Sequence, residues 1–352
     1  MVYFIKNSKF QVIRMLLLEK KEIIRRFPEN YTPGELDFCK EEFSYFTNAV
    51  YAGSFENVVV NGGGFAFDSR FRIIKESLIH IHQFHQIKSM KRLILKSKRK
   101  LPDENYLLCF DEWSSNHYHW FCDFLPRLYC AKQFLESHVL LLPYNNYVCT
   151  VGIEILTRLQ LLPHRIEWIR PEEMVKAKRI TIVNHPAMPG KIHDLLIKTL
   201  HADIQKTFGQ TEFLGKKIYI SRSKARYRNI LNEKEVSGLF KEYGFEIICF
   251  EDYSITEQIS ISSNSAAMAS IHGAGLTNAL FMKGGSKILE FRRDTIYHNQ
   301  CYWHLADALN HKYYYLFGHP DSDKVIEGGN GCNLTIPLPH LKNIIEKINA
   351  VV

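Results

Sequence analysis

The sequence predicts an α/β protein made of two doubly wound, Rossmann-like domains. Three observations carry this expectation. From residue 217 onward, short apolar runs alternate with segments of helical spacing, the pattern of βαβ units around a parallel sheet. The first half shows the same alternation in looser form. A chain of 352 residues, 46% hydrophobic and 23% charged, is also long enough for two ordinary domains with sizeable cores.

In the first half, Val58-Val-Val60 runs into Asn61-Gly-Gly-Gly64, a strand ending in a turn. Residues 70–100 have polar, helical spacing, and 105–110 read as a short apolar strand. Residues 121–135 have helical spacing interrupted by Pro126, and 137–142 read as a buried strand. A helix follows at 151–162, then strands at 166–169 and 179–183, then a helix through about residue 208. In the second half the strands fall at 217–221, 245–250, 267–271 and 287–291, with helices at 232–243 and 255–262. Asn232 suits the N-cap of the first of these helices, and Gly244 lies just past its end. The polar stretch Gly209-Gln-Thr-Glu-Phe-Leu-Gly215 marks the boundary, which gives domains over 1–208 and 209–335. An amphipathic helix within 336–352 is expected to pack back on the first domain.

The formal net charge is +8. Two acid-free basic runs, residues 88–100 and 216–228, hold much of the excess and suggest phosphate-bearing partners or an anionic membrane surface. A solvated face explains such runs equally simply. None of the eight cysteines has C-x-x-C spacing, so no zinc ribbon or thioredoxin-type site is expected, and reduced thiols fit a cytoplasmic protein. Met15-Leu-Leu-Leu18 is too short for a signal-peptide core or a membrane span. The expected localisation is therefore cytoplasmic, with peripheral contact to the inner face of a membrane.

Four stretches carry candidate chemistry. His272-Gly-Ala-Gly-Leu-Thr-Asn278 lies between apolar runs, as a strand, a sharp glycine turn and a helix start would. Thr277 and Asn278 are expected caps of a helix whose free N–H groups favour a phosphate, with His272 as a further donor. A tight βα turn over a buried histidine accounts for the same residues. Asn116-His-Tyr-His-Trp-Phe-Cys-Asp-Phe-Leu-Pro-Arg127 puts His119 and Asp123 four apart, on one helix face. A carboxylate there raises an imidazole's basicity or fixes its tautomer. The alternative is a core helix of Trp120, Phe121, Phe124 and Leu125 with incidental histidines. No H-E-x-x-H spacing occurs, so no metal is expected. After the strand at 217–221 a loop holds Arg222, Lys224, Arg226 and Arg228, at the end of a sheet where ligands of open α/β folds bind. Arginine's planar fork suits a diphosphate, and a solvated basic loop is the plainer reading. Finally, Glu290 ends a strand beside the same crevice, where it would accept from ribose hydroxyls or pair with Arg292 or Arg293.

These residues together resemble glycosyltransferase family 61. The resemblance runs through Asn116-His-Tyr-His-Trp120 with Asp123 and Arg127, then Ile220-Ser-Arg222 with Arg228 and Asn232-Glu233. It continues through His272 to Asn278 and Leu289-Glu290, covering roughly residues 55–300. It implies a GT-B fold, with two Rossmann-like domains facing across a cleft. It also implies inverting transfer from a nucleotide sugar, most simply UDP-linked, without a metal or other cofactor. Without a membrane anchor the chain looks more like the bacterial members associated with surface polysaccharide, so a glycan or lipid-linked glycan acceptor is expected. The resemblance places Arg222, Arg228, His272, Gly273, Ala274, Gly275, Leu276, Thr277 and Asn278 around the donor, with Glu290 at its ribose or base. Asn116, His117, Trp120 and Arg127 would line the acceptor side. The base is Asp123 or His119, with Asp123 preferred and Arg127 holding it ionised. The competing classes are a non-catalytic nucleotide- or glycan-binding protein on the same scaffold and a basic nucleic-acid binder. The Asn116–Arg127 cluster speaks against the first, and the lack of interleaved aromatics against the second, so no nucleic-acid partner is expected.

Overall fold

The computed structural model describes residues 2–4, 13–79, 97–209, 213–293, 299–324 and 331–350. The chain divides into two units, Met1–Glu22 with Phe46–Pro189 and Ile23–Tyr45 with Gly190–Val352.

The first unit is built on one mixed sheet. Its strands are β1 (Val2–Phe4), β2 (Ile13–Leu18), β3 (Val50–Asn61), β4 (Ala66–Phe67), β5 (Arg99–Lys100), β6 (Asn105–Leu108), β7 (Val139–Pro143), β8 (Ile166–Ile169) and β9 (Met174–Val183). They are ordered β1-β2-β3-β9-β6-β7-β8, with β4 on β3 and β5 on β9. Strands β9, β6, β7 and β8 run parallel, whereas β1, β2 and β3 are antiparallel to their neighbours. The expected doubly wound sheet is therefore present in only half of this unit. The physical sign is visible strand by strand. Tyr106, Leu107 and Leu108 of β6 and Val139 to Pro143 of β7 are buried without interruption, as a sheet covered on both faces requires. Strand β3 exposes Ser54, Glu56 and Asn57 in its middle, as an antiparallel strand with a wet face does.

A helix, α1, runs through His117–His119, Trp120–Phe124 and Leu125–Cys130. Pro126 does not break it. The segment Trp120–Phe124 is a π turn in which the Leu125 N–H reaches back to the Trp120 carbonyl. The wider turn makes room where a proline ring would press on the preceding carbonyls. The interior of α1 is core: Trp120, Phe121, Phe124, Leu125 and Leu128 are fully buried. Helix α2 (Ile153–Arg158) is likewise preceded by a π turn, Val148–Gly152.

The second unit holds the regular alternation. Strands β10 (Lys216–Ile220), β11 (Glu246–Ile248), β12 (Ser265–Ile271), β13 (Lys287–Arg293) and β14 (Lys312–Pro320) are parallel, ordered β11-β10-β12-β13-β14, with β15 (Leu334–Thr335) antiparallel at the edge. The chain leaves β10 to one side for β11 and returns to its other side for β12. The carboxyl ends of β10 and β12 are therefore the topological switch point, where ligands of such sheets bind. Helices α3 (Asp194–Phe208), α4 (Glu233–Glu242), α5 (Ile255–Ser263), α6 (Cys301–Ala308) and α7 (Leu338–Ala350) complete the unit.

The two units differ from the expected domain bounds at two places. Helix α3 packs in the second unit, where His201 Nδ1 and the Gln205 amide bond the Leu280 and Phe281 carbonyls at 2.8 and 2.7 Å. The chain thus passes between units at 189/190, ahead of the polar stretch after residue 208. Residues 23–45 also join the second unit, through Arg25 with Asp194 at 2.8 Å and Asn30 with the Tyr315 backbone. Helix α7 buries Leu341, Ile344, Ile345 and Ile348 in the core formed by Val236, Phe240, Phe291 and Leu316 of the second unit.

Of the helix expected at 70–100, residues 80–96 lie outside the described residues. The described part is a single turn at Lys75–Ser77 and the strand β5. Much of the basic run 88–100 lies outside with it. In the described part, Arg99 is already paired with Glu167 at 2.6 Å and Glu173 at 2.5 Å. None of the eight cysteines forms a disulfide among the described residues. No helix among the described residues is long and apolar enough to cross a membrane.

Candidate active site

At the switch point, Glu233 opens α4 and fixes the turn that follows β10. Its carboxylate accepts from Tyr219 Oη at 2.6 Å and from the Ser221 hydroxyl. The turn then folds around Arg222, whose Nε and Nη2 donate to the Arg228 and Tyr227 carbonyls at 3.2 and 3.1 Å. Arg228 sits at φ +60°, a left-handed conformation unfavourable for a long side chain, and its Nη1 reaches the His272 carbonyl at 3.4 Å. Burial, and then the like charge of Arg228, lowers the Arg222 pKa. Two cations this close at the end of a parallel sheet favour an anion between them. The other two cations of the loop turn elsewhere: Lys224 pairs with Asp252 at 2.5 Å and Arg226 lies 5.2 Å over the Tyr227 ring.

The glycine turn fits against this loop. A Cβ on Gly273 would lie 2.8 Å from Arg222 Nη1, and one on Gly275 would lie 3.2 Å from Ile220 Cγ2. Glycine thus permits the close approach of the turn to the guanidinium and to β10. His272 is buried and bonds Glu290 Oε1 through Nδ1 at 2.5 Å, while the Tyr313 hydroxyl donates to Glu290 Oε2. Two expectations change here. Glu290 was expected at a ribose or base; it is 1% exposed and both its oxygens are engaged, by His272 and Tyr313. The helix at the turn starts at Ala274, so Thr277 and Asn278 are inside it and do not cap it. Leu276, Thr277 and Asn278 are buried, which leaves Ala274 and Gly275 as the half-exposed part of the motif. Asn232 does stand at the start of α4, but its side chain bonds the Ile336 backbone instead of capping.

In the first unit, α1 begins with Asn116, whose side chain accepts from the Tyr118 N–H at 3.0 Å. One turn on, His119 Nδ1 meets Asp123 Oδ2 at 2.5 Å. Burial opposes charging of His119, but the hydrogen bond and charge of Asp123, with the charge of Asp111, outweigh it and raise the imidazole pKa. The His119 side chain is 21% exposed and Asp123 only 7%. Nε2 has no hydrogen-bond partner among the described residues. The dyad thus offers its imidazole to solvent and keeps its carboxylate behind. His117 differs: its Nδ1 bonds Tyr147 Oη at 2.9 Å, and burial pushes its pKa down to about 4.

Two residues expected on the acceptor side lie buried in α1. Trp120 is fully buried and stacks on Phe124 at 4.2 Å between ring centroids. Arg127 is fully buried, and its guanidinium donates to the Val183 carbonyl, to Glu76 O at 3.1 Å and to His185 Nε2 at 2.9 Å. Among the described residues it makes no hydrogen bond to Asp123, but the two charges interact, and through Val183 it ties α1 to β9.

Three residues near the dyad were not singled out from sequence. His185 Nε2 accepts from Arg127 and lies 3.3 Å from Asp111 Oδ2; burial and the Arg127 charge push its pKa well down. Asp111 is buried, and burial with the Asp123 charge raises its pKa. Its Oδ1 accepts from the Trp113 N–H at 2.7 Å and from Ser114 Oγ at 3.3 Å. The Trp113 ring lies 5.0 Å from that of His119. The available signal was position, since Asp111 follows β6 at the carboxyl end of a buried parallel strand.

The chain contains an Asp-x-Asp spacing, Asp321-Ser-Asp323. Asp321 is taken up by the Asn333 backbone and amide at 2.9 and 2.7 Å, and Asp323 is an exposed side chain 3.7 Å from Arg293. No group of three or more metal-ligating side chains forms among the described residues.

Residues 117–289 match the family described as Glycosyltransferase 61. The match begins with α1 and ends in β13, and so takes in the His119–Asp123 dyad, the arginine loop and the glycine turn. Over 207 residues the chain is 26% identical to the EGF domain-specific O-linked N-acetylglucosamine transferase of Drosophila melanogaster. The alignment covers 50% of this chain and 38% of that protein.

Proposed function

The chain belongs to glycosyltransferase family 61, and from that membership we propose that it transfers a sugar from a nucleotide sugar to a hydroxyl group of a glycan acceptor, with inversion at the anomeric carbon. The observation that carries the catalytic part is the His119–Asp123 pair, a partly exposed imidazole backed by a buried carboxylate. A protein that only binds nucleotides or glycans has no use for such a base.

In this reading Asp123 holds the Nδ1 proton of His119, and Nε2 takes the proton of the acceptor hydroxyl as its oxygen attacks the anomeric carbon. The bond from that carbon to the diphosphate oxygen breaks, and a nucleoside diphosphate leaves. The charge growing on the leaving diphosphate is met by Arg222, Arg228 and the backbone N–H groups at the start of the turn after Gly273. The geometry thus favours His119 over Asp123 as base, with Asp123 as its positioning partner.

The reading includes the family's GT-B arrangement, a UDP-linked donor, independence of metal, and a surface-polysaccharide acceptor that is lipid-linked and met at an anionic membrane. The name of the fly relative puts N-acetylglucosamine first among the sugars to test. The test is incubation of the protein with UDP-, GDP-, CMP- and dTDP-sugars and a panel of glycosides. Released nucleotide is measured, and the anomeric configuration of the product is read by NMR. Transfer with inversion supports the proposal. Nucleotide binding without release or transfer would favour the binding-protein class.

A further inference from the structure

The surface beside the dyad carries a feature that neither the family match nor the sequence motifs assign. Trp113 is an indole 36% exposed at the carboxyl end of the parallel strand β6, with its ring 5.0 Å from that of His119 at an interplanar angle of 40°. Its position is fixed from below. Buried Asp111 accepts from the Trp113 N–H, and Ser114 closes the turn on the same carboxylate. The next residue, Ser115, accepts from the Asn145 amide at 2.8 Å, which ties this loop to the one after the neighbouring strand β7.

We propose that Trp113 is the platform on which a pyranose ring of the acceptor stacks, so that the acceptor hydroxyl is presented to His119 Nε2 by a sugar and not by a peptide side chain. This rests on the reading of His119 as the base. One face of a β-pyranoside carries axial C–H bonds with slight positive charge, and the face of an indole is its negative side. The indole contributes a large contact area with only two side-chain torsions to fix, so ordering it costs little. A sugar lying on the ring brings its own hydroxyls to the edge next to the imidazole. A serine or threonine on an extended peptide has no comparable flat apolar face.

The experiment is saturation-transfer NMR on the full chain with methyl β-D-glucopyranoside, methyl β-D-galactopyranoside and methyl N-acetyl-β-D-glucosaminide. Sorbitol and a serine-containing peptide serve as non-pyranose probes. At least one pyranoside should be saturated most strongly on the protons of a single ring face. That signal should vanish in Trp113→Ala and persist in Trp113→Phe, with circular dichroism unchanged in both. Retention of the signal in Trp113→Ala, equal saturation of sorbitol or peptide, or no pyranoside signal in the wild type overturns the proposal. In a transfer assay, Trp113→Ala should raise the acceptor KM by about tenfold and leave the donor KM unchanged. A fall in kcat at constant acceptor KM would instead show that Trp113 only positions His119. The NMR readout needs no catalysis, so failure of transfer and failure of sugar stacking are separately visible.

Discussion

Asp123→Asn separates the two candidate bases. The amide keeps the shape of the carboxylate but removes its charge from the 2.5 Å contact with His119 Nδ1. In the wild type, burial lowers the His119 pKa while Asp123 and, more weakly, Asp111 raise it above its ordinary value. A base must be unprotonated, so activity falls as pH drops through this raised pKa, and the acidic limb of the kcat/KM profile lies above the ordinary imidazole range. Removing the Asp123 charge leaves burial opposed by Asp111 alone, and the limb moves to lower pH. The rate falls as well, because the imidazole loses its preferred tautomer and the stabilisation of its charged form. Losses of general-base function are typically about 10²–10⁴-fold, which is roughly 3–5 kcal/mol of barrier. The assay is nucleotide release measured across pH. His119→Ala should lose at least as much as Asp123→Asn. If Asp123→Asn leaves the acidic limb in place, or abolishes turnover while His119→Ala retains it, the base is Asp123 and the dyad reading is wrong. The linkage runs the same way. The pairing stabilises the fold fully below the unfolded-state pKa of His119 and loses that contribution as pH rises through the folded one, so Asp123→Asn costs stability mainly in acid.

Gly273→Ala places a methyl 2.8 Å from Arg222 Nη1, so the guanidinium must move. Nucleotide affinity should fall by about 1–2 kcal/mol with thermal stability little changed, as calorimetry and a melting curve will show. Arg127→Met removes buried donors from the Val183 and Glu76 carbonyls and leaves Asp111 without its neighbouring cation. A loss of about 3–5 kcal/mol in urea unfolding is expected, because the guanidinium is fully buried. EDTA treatment should leave transfer unchanged. Activity abolished by the chelator and restored by a divalent ion would show that the arginines do not suffice at the diphosphate.

The second unit was legible because its strands are short apolar runs buried on both faces, such as 265–271 and 287–291, separated by helices with clear stops. Gly244, at φ +78° just past α4, is one such stop. Strand β3 was seen only at Val58-Val-Val60, because its middle, residues 54–57, is polar and largely exposed and its partner β9 is antiparallel. The place of residues 23–45 in the second unit depends on contacts such as Arg25 with Asp194 and Asp307, separations that no local pattern records. In the site, the i, i+4 spacing was enough to pair His119 with Asp123. The spacing could not distinguish Arg127 as a clamp from Arg127 as a counter-ion, since its partners Val183 and His185 lie on a distant strand and the loop beyond it. Asp111 and His185 escaped for the same reason. Glu290 was read as a strand end but lies in the middle of β13, where the register Ser270–Glu290 brings it to His272.

The central claim is that a nucleoside diphosphate binds at the switch point of the second unit while the base belongs to the first. Isothermal titration of UDP, GDP, CMP and dTDP into the wild type, Arg222→Ala and Asp123→Asn tests it most directly. At least one nucleotide should bind the wild type, and Asp123→Asn should bind it with nearly the same affinity. Arg222→Ala should weaken it by about 1.5–3 kcal/mol, the loss of a charge-assisted contact to phosphate. If no nucleotide binds, or if Arg222→Ala binds as tightly as the wild type, the donor is not held where this account places it.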